Sequence, residues 1–233
     1  MFDALLAHFA GHEHAPDLDP SLIKAMRHEF ENSEFFGQDM RHLWMMLESV
    51  VTKSMCYPGI NEDRIKNIAI IGTGYVGLVT GVGLSEFGNK VICLDINQSK
   101  INDLNAGKVP IYEPGLEDLI RKNVNSERLF FSSDIASSIK ESEVIIIAVG
   151  TPQSKNGAAD LKYVFDALDN ISENLNSYKI IVTKSTVPIG TGEKIITKLK
   201  KNYEENIDFD YVSNPEFLRE GSAVKDSLWP DRV

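Results

Sequence analysis

Three glycines carry the first chemical signal. They stand in Gly72-Thr73-Gly74-Tyr75-Val76-Gly77, directly after the apolar run Ile68-Ala69-Ile70-Ile71. In such a spacing the first glycine permits a tight turn, the second lets an anionic group reach the backbone, and the third lets a helix pack closely on the strand. The helix that follows offers unpaired N–H groups and a partial positive charge, which suits a pyrophosphate. A second apolar run, Val91-Ile92-Cys93-Leu94, ends in Asp95, 18 residues beyond Gly77. An acid at that place accepts hydrogen bonds from adenosine ribose hydroxyls and repels a 2′-phosphate, so the pattern predicts NAD rather than NADP.

More polar residues follow later apolar runs. They are Thr151 after Val144–Val149, Thr186 after Lys179–Lys184, and Glu216 and Glu220 after Phe209–Ser213. Ligands of open α/β sheets bind at the carboxyl ends of strands, which places these side chains toward one crevice. Asn214-Pro215 predicts a helix cap with proline in the first turn, so that Glu216 and Glu220, four apart, share a helix face.

The elements that must position these residues alternate along the chain. Predicted strands are Asn67–Ile71, Lys90–Asp95, Leu129–Ser132, Glu143–Val149, Lys179–Lys184 and Phe209–Ser213. Helical patterns lie near Val76–Phe87, Ser99–Ala106, Gly115–Lys122, Ile135–Lys140, Leu161–Leu175 and Thr191–Lys201. Continuous apolar runs suit strands buried on both faces. The expected fold is therefore a Rossmann-like, doubly wound parallel α/β sheet in the order 3-2-1-4-5-6.

The first 62 residues read differently. All five histidines and all six methionines precede residue 60, and residues 1–64 hold five Lys/Arg against eleven Asp/Glu. Phe2, Leu5, Leu6 and Phe9 have helical spacing, as do Leu22, Ile23, Met26 and Phe30 after Asp19-Pro20. A third stripe runs from Met40 to Val51 behind Asp39. We expect a short all-helical extension over 1–62 and a nucleotide-binding domain over 63–233. His8, His12 and His14 lack a second ligand pair and read as solvated histidines, so no metal is expected.

Composition limits the alternatives. The 233 residues carry a formal net charge of −10, which disfavours binding to a nucleic-acid backbone. No run approaches the ~18 apolar residues of a membrane span, and no basic leader precedes the first apolar residues. Two cysteines, Cys56 and Cys93, make no disulfide framework, so a cytoplasmic setting is expected.

From about Ile65 to Val233 the chain closely resembles the N-terminal half of the UDP-glucose 6-dehydrogenases, in the nucleotide-sugar dehydrogenase family. The resemblance rests on Ile71–Gly77, Pro110-Ile-Tyr-Glu-Pro-Gly-Leu116, Val149-Gly-Thr-Pro152, Ala159-Asp-Leu-Lys-Tyr163, Lys184-Ser-Thr-Val-Pro188, Asn214-Pro-Glu-Phe-Leu-Arg-Glu-Gly221 and Pro230-Asp-Arg-Val233. It implies oxidation of the C6 alcohol of UDP-glucose to UDP-glucuronate by two hydride transfers to NAD, with a cysteine thiolate capturing the aldehyde. It assigns NAD contacts to Gly72, Gly74, Tyr75, Val76, Gly77, Asp95, Lys100, Val149–Gln153, Thr151, Thr186 and Glu220. It assigns the sugar nucleotide to Glu216, Phe217, Leu218, Arg219 and Glu220, proton transfer to Glu216, and a catalytic water to Thr186. A homo-oligomer is expected for the full-length form. The family's catalytic lysine and cysteine match no position here, so the chain alone is expected to be inactive. The rival expectations are a dehydrogenase of GDP-mannose or UDP-N-acetylmannosamine, and a non-catalytic NAD-binding or assembly module.

Overall fold

The computed structural model describes residues 65–155, 157–202 and 209–229. The chain divides into two units, Met1–Arg64 and Ile65–Val233. The helices and histidines read from residues 1–62, with Cys56 and the Pro230–Val233 motif, lie outside the described residues.

In chain order the second unit contains β1 (Asn67–Ile71), α1 (Tyr75–Glu86), β2 (Lys90–Leu94), α2 (Gln98–Asn105), α3 (Leu116–Asn125), β3 (Leu129–Ser132) and α4 (Ile135–Glu141). Then come β4 (Val144–Ile147), α5 (Lys162–Asn174), β5 (Lys179–Thr183), α6 (Thr191–Asn202), β6 (Phe209–Ser213) and α7 (Ala223–Leu228). The six strands form one parallel sheet in the order β3-β2-β1-β4-β5-β6, as the alternation predicts.

Alternation along the central strands builds two cores. In β1, Ile68 and Ile70 face α1, α2 and α3, while Ala69 and Ile71 face α4, α5 and α6. Ile70 lies opposite Cys93 on one side and Ile146 on the other. All four β1 residues from Ile68 to Ile71 are buried, each isoleucine contributing roughly 1.5–3 kcal/mol of burial. This two-sided demand explains why the strand reads as an uninterrupted apolar run.

Polar side chains fix several helix ends. Asn97 accepts from the Lys100 amide to start α2, and Asp134 accepts from the Ser137 amide to start α4. The C-terminal end of α4 is closed from a distance. Lys179, buried at the start of β5, donates its Nζ to the Ser142 carbonyl at 2.6 Å and the Lys140 carbonyl at 3.2 Å. A cation beside the last carbonyls of a helix satisfies them and opposes the helix dipole.

The segment after β6 corrects one expectation. Residues 214–219 have no regular secondary structure, and Asn214 caps no helix. Its N–H donates to the Thr183 carbonyl at 3.0 Å, and its Oδ1 accepts from Lys184 Nζ at 3.1 Å. Glu216 turns its Oε2 back onto the Leu218 amide at 2.7 Å. A side chain that captures a nearby amide competes with the helical hydrogen bond. Helix formation is delayed to Ala223, so Glu216 and Glu220 share no helix face.

Candidate cofactor and substrate site

The turn between β1 and α1 is built for a close anionic neighbour. Gly72 donates its N–H to the Leu94 carbonyl at 2.7 Å and has φ of +110°, a conformation L side chains avoid. A Cβ there would meet the Ala148 carbonyl oxygen at 2.6 Å, and a Cβ on Gly77 would run into the Gly72 carbonyl oxygen. A Cβ built on Gly74 meets nothing within 4 Å. Helix α1 begins with neither a side-chain cap nor an acid in its first turn. An open glycine before an uncapped, dipole-positive helix end fits the pyrophosphate of NAD.

Asp95 closes the other edge of this seat. Its Oδ2 accepts from Thr73 N at 3.2 Å, Thr73 Oγ1 at 2.6 Å and Lys100 Nζ at 3.1 Å. Its Oδ1 accepts from the Asn97 amide at 3.0 Å. Burial pushes the carboxyl pKa up, but the bonds from Thr73, Asn97 and Lys100 outweigh it and hold the group below the usual aspartate range. Asp95 is thus an ionised acceptor fixed before any ligand arrives. Lys100 reaches this group through a salt bridge, which brings two of the sequence-assigned residues together.

The ends of β4, β5 and β6 are stitched side by side. Thr151 Oγ1 donates to the Thr186 carbonyl at 2.9 Å, and Ser185 Oγ donates to the Val149 carbonyl at 2.6 Å. Beyond them lies a cleft of about 870 Å³ whose wall includes Lys184, Asn214, Glu216, Phe217 and Arg219. Lys184 received no role from the sequence. Burial lowers its pKa, and the neighbouring Glu216 charge opposes that shift. Arg219 is engaged internally: its Nε and Nη2 donate to Asp226 at 2.9 and 2.7 Å. Phe217 is 74% exposed, whereas Leu218 packs on the core beneath α1. A second cavity of about 400 Å³ lies beside β3 among Leu104, Val109, Arg121 and Phe130.

A buried carboxylate of the region, Glu113, is a residue whose role sequence reasoning missed. It is 4% exposed and receives the Tyr75 hydroxyl at 2.6 Å, the Gly221 amide at 2.8 Å and the Ala223 amide at 2.8 Å. Pro110–Leu116 was legible only as a motif, because these partners lie 38, 108 and 110 residues away. Cys93 has the opposite character. It is fully buried in β2, and burial pushes its thiol pKa up to about 12. That excludes it as a thiolate nucleophile.

Residues 66–233 match the NAD-binding domain of the UDP-glucose/GDP-mannose dehydrogenase family. The UDP-glucose 6-dehydrogenase TuaD of Bacillus subtilis is 56% identical over 169 residues, covering 72% of this chain and 37% of that protein. A UDP-glucose 6-dehydrogenase of Rhizobium meliloti is 47% identical over 167 residues, covering 71% and 38%. The chain thus spans less than two fifths of the length of these two relatives. Among solved structures, a UDP-glucose dehydrogenase from Pyrobaculum islandicum superposes with a TM-score of 0.70 at 37% identity, covering 75% of this chain and 41% of that one. GDP-mannose dehydrogenase from Pseudomonas aeruginosa gives 0.65 at 38% identity, covering 69% and 38%. An NAD seat at the β1–α1 turn, a fixed acid after β2 and this sequence match together show that the chain belongs to the UDP-glucose/GDP-mannose dehydrogenase family, within which residues 66–233 form the NAD-binding domain.

Proposed function

We propose that this chain supplies the NAD-binding half of an enzyme that oxidises the C6 alcohol of UDP-glucose to the carboxylate of UDP-glucuronate. The observation that carries the reading is the open Gly74 turn at the uncapped start of α1, with Asp95 held ready at the end of β2. When bound, NAD supplies the hydride acceptor. Asp95 receives the adenosine ribose hydroxyls and disfavours a 2′-phosphate. Tyr75, Val76, Thr151 and Glu220 border the cofactor, while Phe217, Leu218 and Arg219 border the sugar nucleotide.

Glu216 is the proton acceptor of this scheme. Its Oε2 accepts the Leu218 amide, which leaves Oε1 as the oxygen to meet substrate. Lys184 lies beside Glu216, with burial holding the ammonium pKa below the usual lysine range and the Glu216 charge opposing that shift. Thr186, on the strand end beside Thr151, holds water near the reacting carbon. The enzyme of this proposal is a cytoplasmic homo-oligomer.

The cofactor reading is tested by calorimetric titration of the chain with NAD and with NADP. NAD is expected to bind, and more tightly than NADP. Equal or tighter NADP binding defeats the assignment of Asp95. A second reading, NAD binding without catalysis, is favoured by the burial of Cys93, which cannot add to the aldehyde to give the thiohemiacetal that a second hydride transfer would oxidise to a thioester. It predicts no NADH production when the purified chain is given NAD and UDP-glucose. Sustained NADH production would overturn it.

A further inference from the structure

Glu113 stands between two segments that have separate duties in the proposed reaction. Tyr75 is the first residue of α1, on the turn where the pyrophosphate is expected. Gly221 follows Glu220 directly and Ala223 lies two residues further on, at the end of the loop that carries Glu216. The carboxylate reaches both. Its Oε2 is shared between the Tyr75 hydroxyl at 2.6 Å and the Gly221 amide at 2.8 Å, and its Oε1 takes the Ala223 amide at 2.8 Å. The Tyr75 oxygen also lies 3.5 Å from the Arg219 carbonyl oxygen, on the same loop.

Glu113 itself belongs to neither segment. Its carbonyl accepts the Leu116 amide at 3.1 Å, where α3 begins behind Gly115 in left-handed geometry at φ +79°. The carboxylate is therefore carried by a helix start packed into the core, since Leu116 is 1% exposed. Gly221 has φ of +87°, and the Ser222 amide closes the turn on the Arg219 carbonyl at 3.0 Å. Only that turn presents the Gly221 N–H to the shared oxygen. Among the described ion pairs none involves Glu113, so the buried charge is held by one phenol and backbone amides. Such a charge is costly to bury unless all its donors stay in place, which ties their positions together.

We infer that Glu113 is a positioning residue that couples the dinucleotide turn to the Glu216–Glu220 loop, so that cofactor seated on the turn orders the loop that meets the sugar. The inference rests on the reading of the Gly72–Gly77 turn as the NAD seat. Movement of Tyr75 on cofactor binding acts on the oxygen that holds Gly221, and Gly221 fixes the backbone next to Glu220. Glu113 touches neither cofactor nor substrate in this scheme. It also explains why Tyr75 carries a hydroxyl: a phenylalanine would fill the same space without reaching the carboxylate.

The test is hydrogen–deuterium exchange of the 233-residue chain with and without saturating NAD, for the parent, Glu113→Gln and Tyr75→Phe. In the parent, NAD is expected to slow exchange over residues 72–78 and also over 219–223. The second slowing should be at least about fivefold, the low end of ordinary coupling between sites. Each variant is compared at the NAD concentration that restores the parent's slowing over 72–78, which reports occupancy, and there the slowing over 219–223 should fall below about twofold. If Glu113→Gln does not fold, Tyr75→Phe decides alone, because it removes one hydroxyl and leaves Glu113 on its backbone amides. The inference is overturned if NAD slows 72–78 but not 219–223 in the parent, or if Tyr75→Phe keeps the parent's slowing at 219–223. Absence of any NAD effect over 72–78 in the parent instead overturns the NAD seat itself, and the coupling with it.

Discussion

On the side of the sheet that faces α1, Ile68, Ile70, Val91, Cys93, Leu129 and Phe131 in strands β1, β2 and β3 are all buried. On the same side of β4, β5 and β6, Ile146 is buried beside Ile70, but Val144 and Val182 are only partly buried, and Val212 is 42% exposed. The polar groups of the two regions differ in the same direction. Asp95 is fixed by Thr73, Asn97 and Lys100 in a form that already suits a ribose. Glu216, Lys184 and Arg219 are instead occupied with the Leu218 amide, Asn214 and Asp226. The cofactor seat is thus formed on folding, whereas each group of the proposed sugar side already carries an internal bond that competes with a ligand. Binding to the first region costs little reorganisation, and binding to the second exchanges one set of hydrogen bonds for another.

The largest expected effect probes the chemistry assigned to the less finished region. With this domain joined to the remainder of a UDP-glucose 6-dehydrogenase, Glu216→Gln is expected to lower kcat by about 10²–10⁴-fold. The KM for UDP-glucose should change far less. Glu220→Gln should raise the KM for NAD more than it lowers kcat. Steady-state kinetics with both substrates varied reads the two together. If Glu216→Gln left kcat within about threefold of the parent, well below the usual range, Glu216 would not be the proton acceptor.

The finished region should break by a different route. Gly77→Ala places a methyl group against the Gly72 carbonyl oxygen, in a turn whose other wall is the Ala148 carbonyl. Overpacking at such a contact is expected to cost about 3 kcal/mol. The displaced turn should also lose NAD. Thermal unfolding and calorimetric titration check the two parts. An alanine variant with parent stability and parent NAD affinity would remove the close packing of α1 on β1 as the basis of the seat.

The same contrast governs what could be read from residue order. Strands β1, β2 and β4 were legible because two-sided burial forces long apolar runs, and the strand–helix alternation with right-handed crossovers then leaves one strand order. The glycine turn and Asp95 were legible because their partners are near in sequence or prescribed by the turn. Strand β4 ends at Ile147, two residues before the predicted Val149. The Val149 carbonyl is taken by Ser185 from the neighbouring loop, a bond invisible in the local pattern. The helix expected at Asn214 fails for a similar reason, since Lys184 claims the Asn214 side chain from β5's end. Glu113 was illegible as an anchor because its donors are assembled only by the sheet order.

Glu113 offers a test that spans both regions. Burial pushes its pKa up, and hydrogen bonds from Tyr75, Gly221 and Ala223 outweigh that and hold it below the ordinary glutamate value. A carboxyl with a lowered folded-state pKa stabilises fully above its unfolded value, about 4.3. That contribution is lost as pH falls through the folded value. Glu113→Gln should therefore be less stable than the parent near neutral pH by about 2 kcal/mol. It should also lose less stability on acidification. Glu86 and Asp134, also lowered, retain their share of the acid response in both proteins. Urea titrations at neutral and acidic pH check this, and parallel pH profiles for the two proteins would show that Glu113 is not ionised in the folded state.

A smaller effect is expected at the cofactor edge. Asp95→Asn keeps the size of the side chain but removes the charge that faces a 2′-phosphate and the salt bridge to Lys100. NADP affinity should rise relative to NAD by about tenfold, or ~1.4 kcal/mol. Calorimetry with both cofactors reads the ratio. An unchanged ratio would mean that discrimination against the phosphate is steric, or lies elsewhere on the seat.

The smallest effect tests whether the sugar-side bonds are truly provisional. Arg219 pairs with Asp226 through two hydrogen bonds, yet its side chain is 69% exposed while that of Asp226 is 18% exposed. The Arg219 charge, and the Ser222 hydroxyl at 3.1 Å, hold the Asp226 carboxyl below the usual aspartate range. Solvent screening of the guanidinium limits the pair to well under about 1 kcal/mol of stability. Asp226→Asn should accordingly shift unfolding by no more than a few tenths of that figure. If Arg219 must leave Asp226 to meet a sugar nucleotide, the same substitution removes a competitor and should tighten UDP-glucose binding in the joined enzyme by up to about threefold. A loss of stability near 3 kcal/mol, the size seen when a buried pair is broken, would show instead that the Arg219–Asp226 pair is part of the folded framework. The loop after β6 would then be as finished as the cofactor seat, and Arg219 would not be available to substrate.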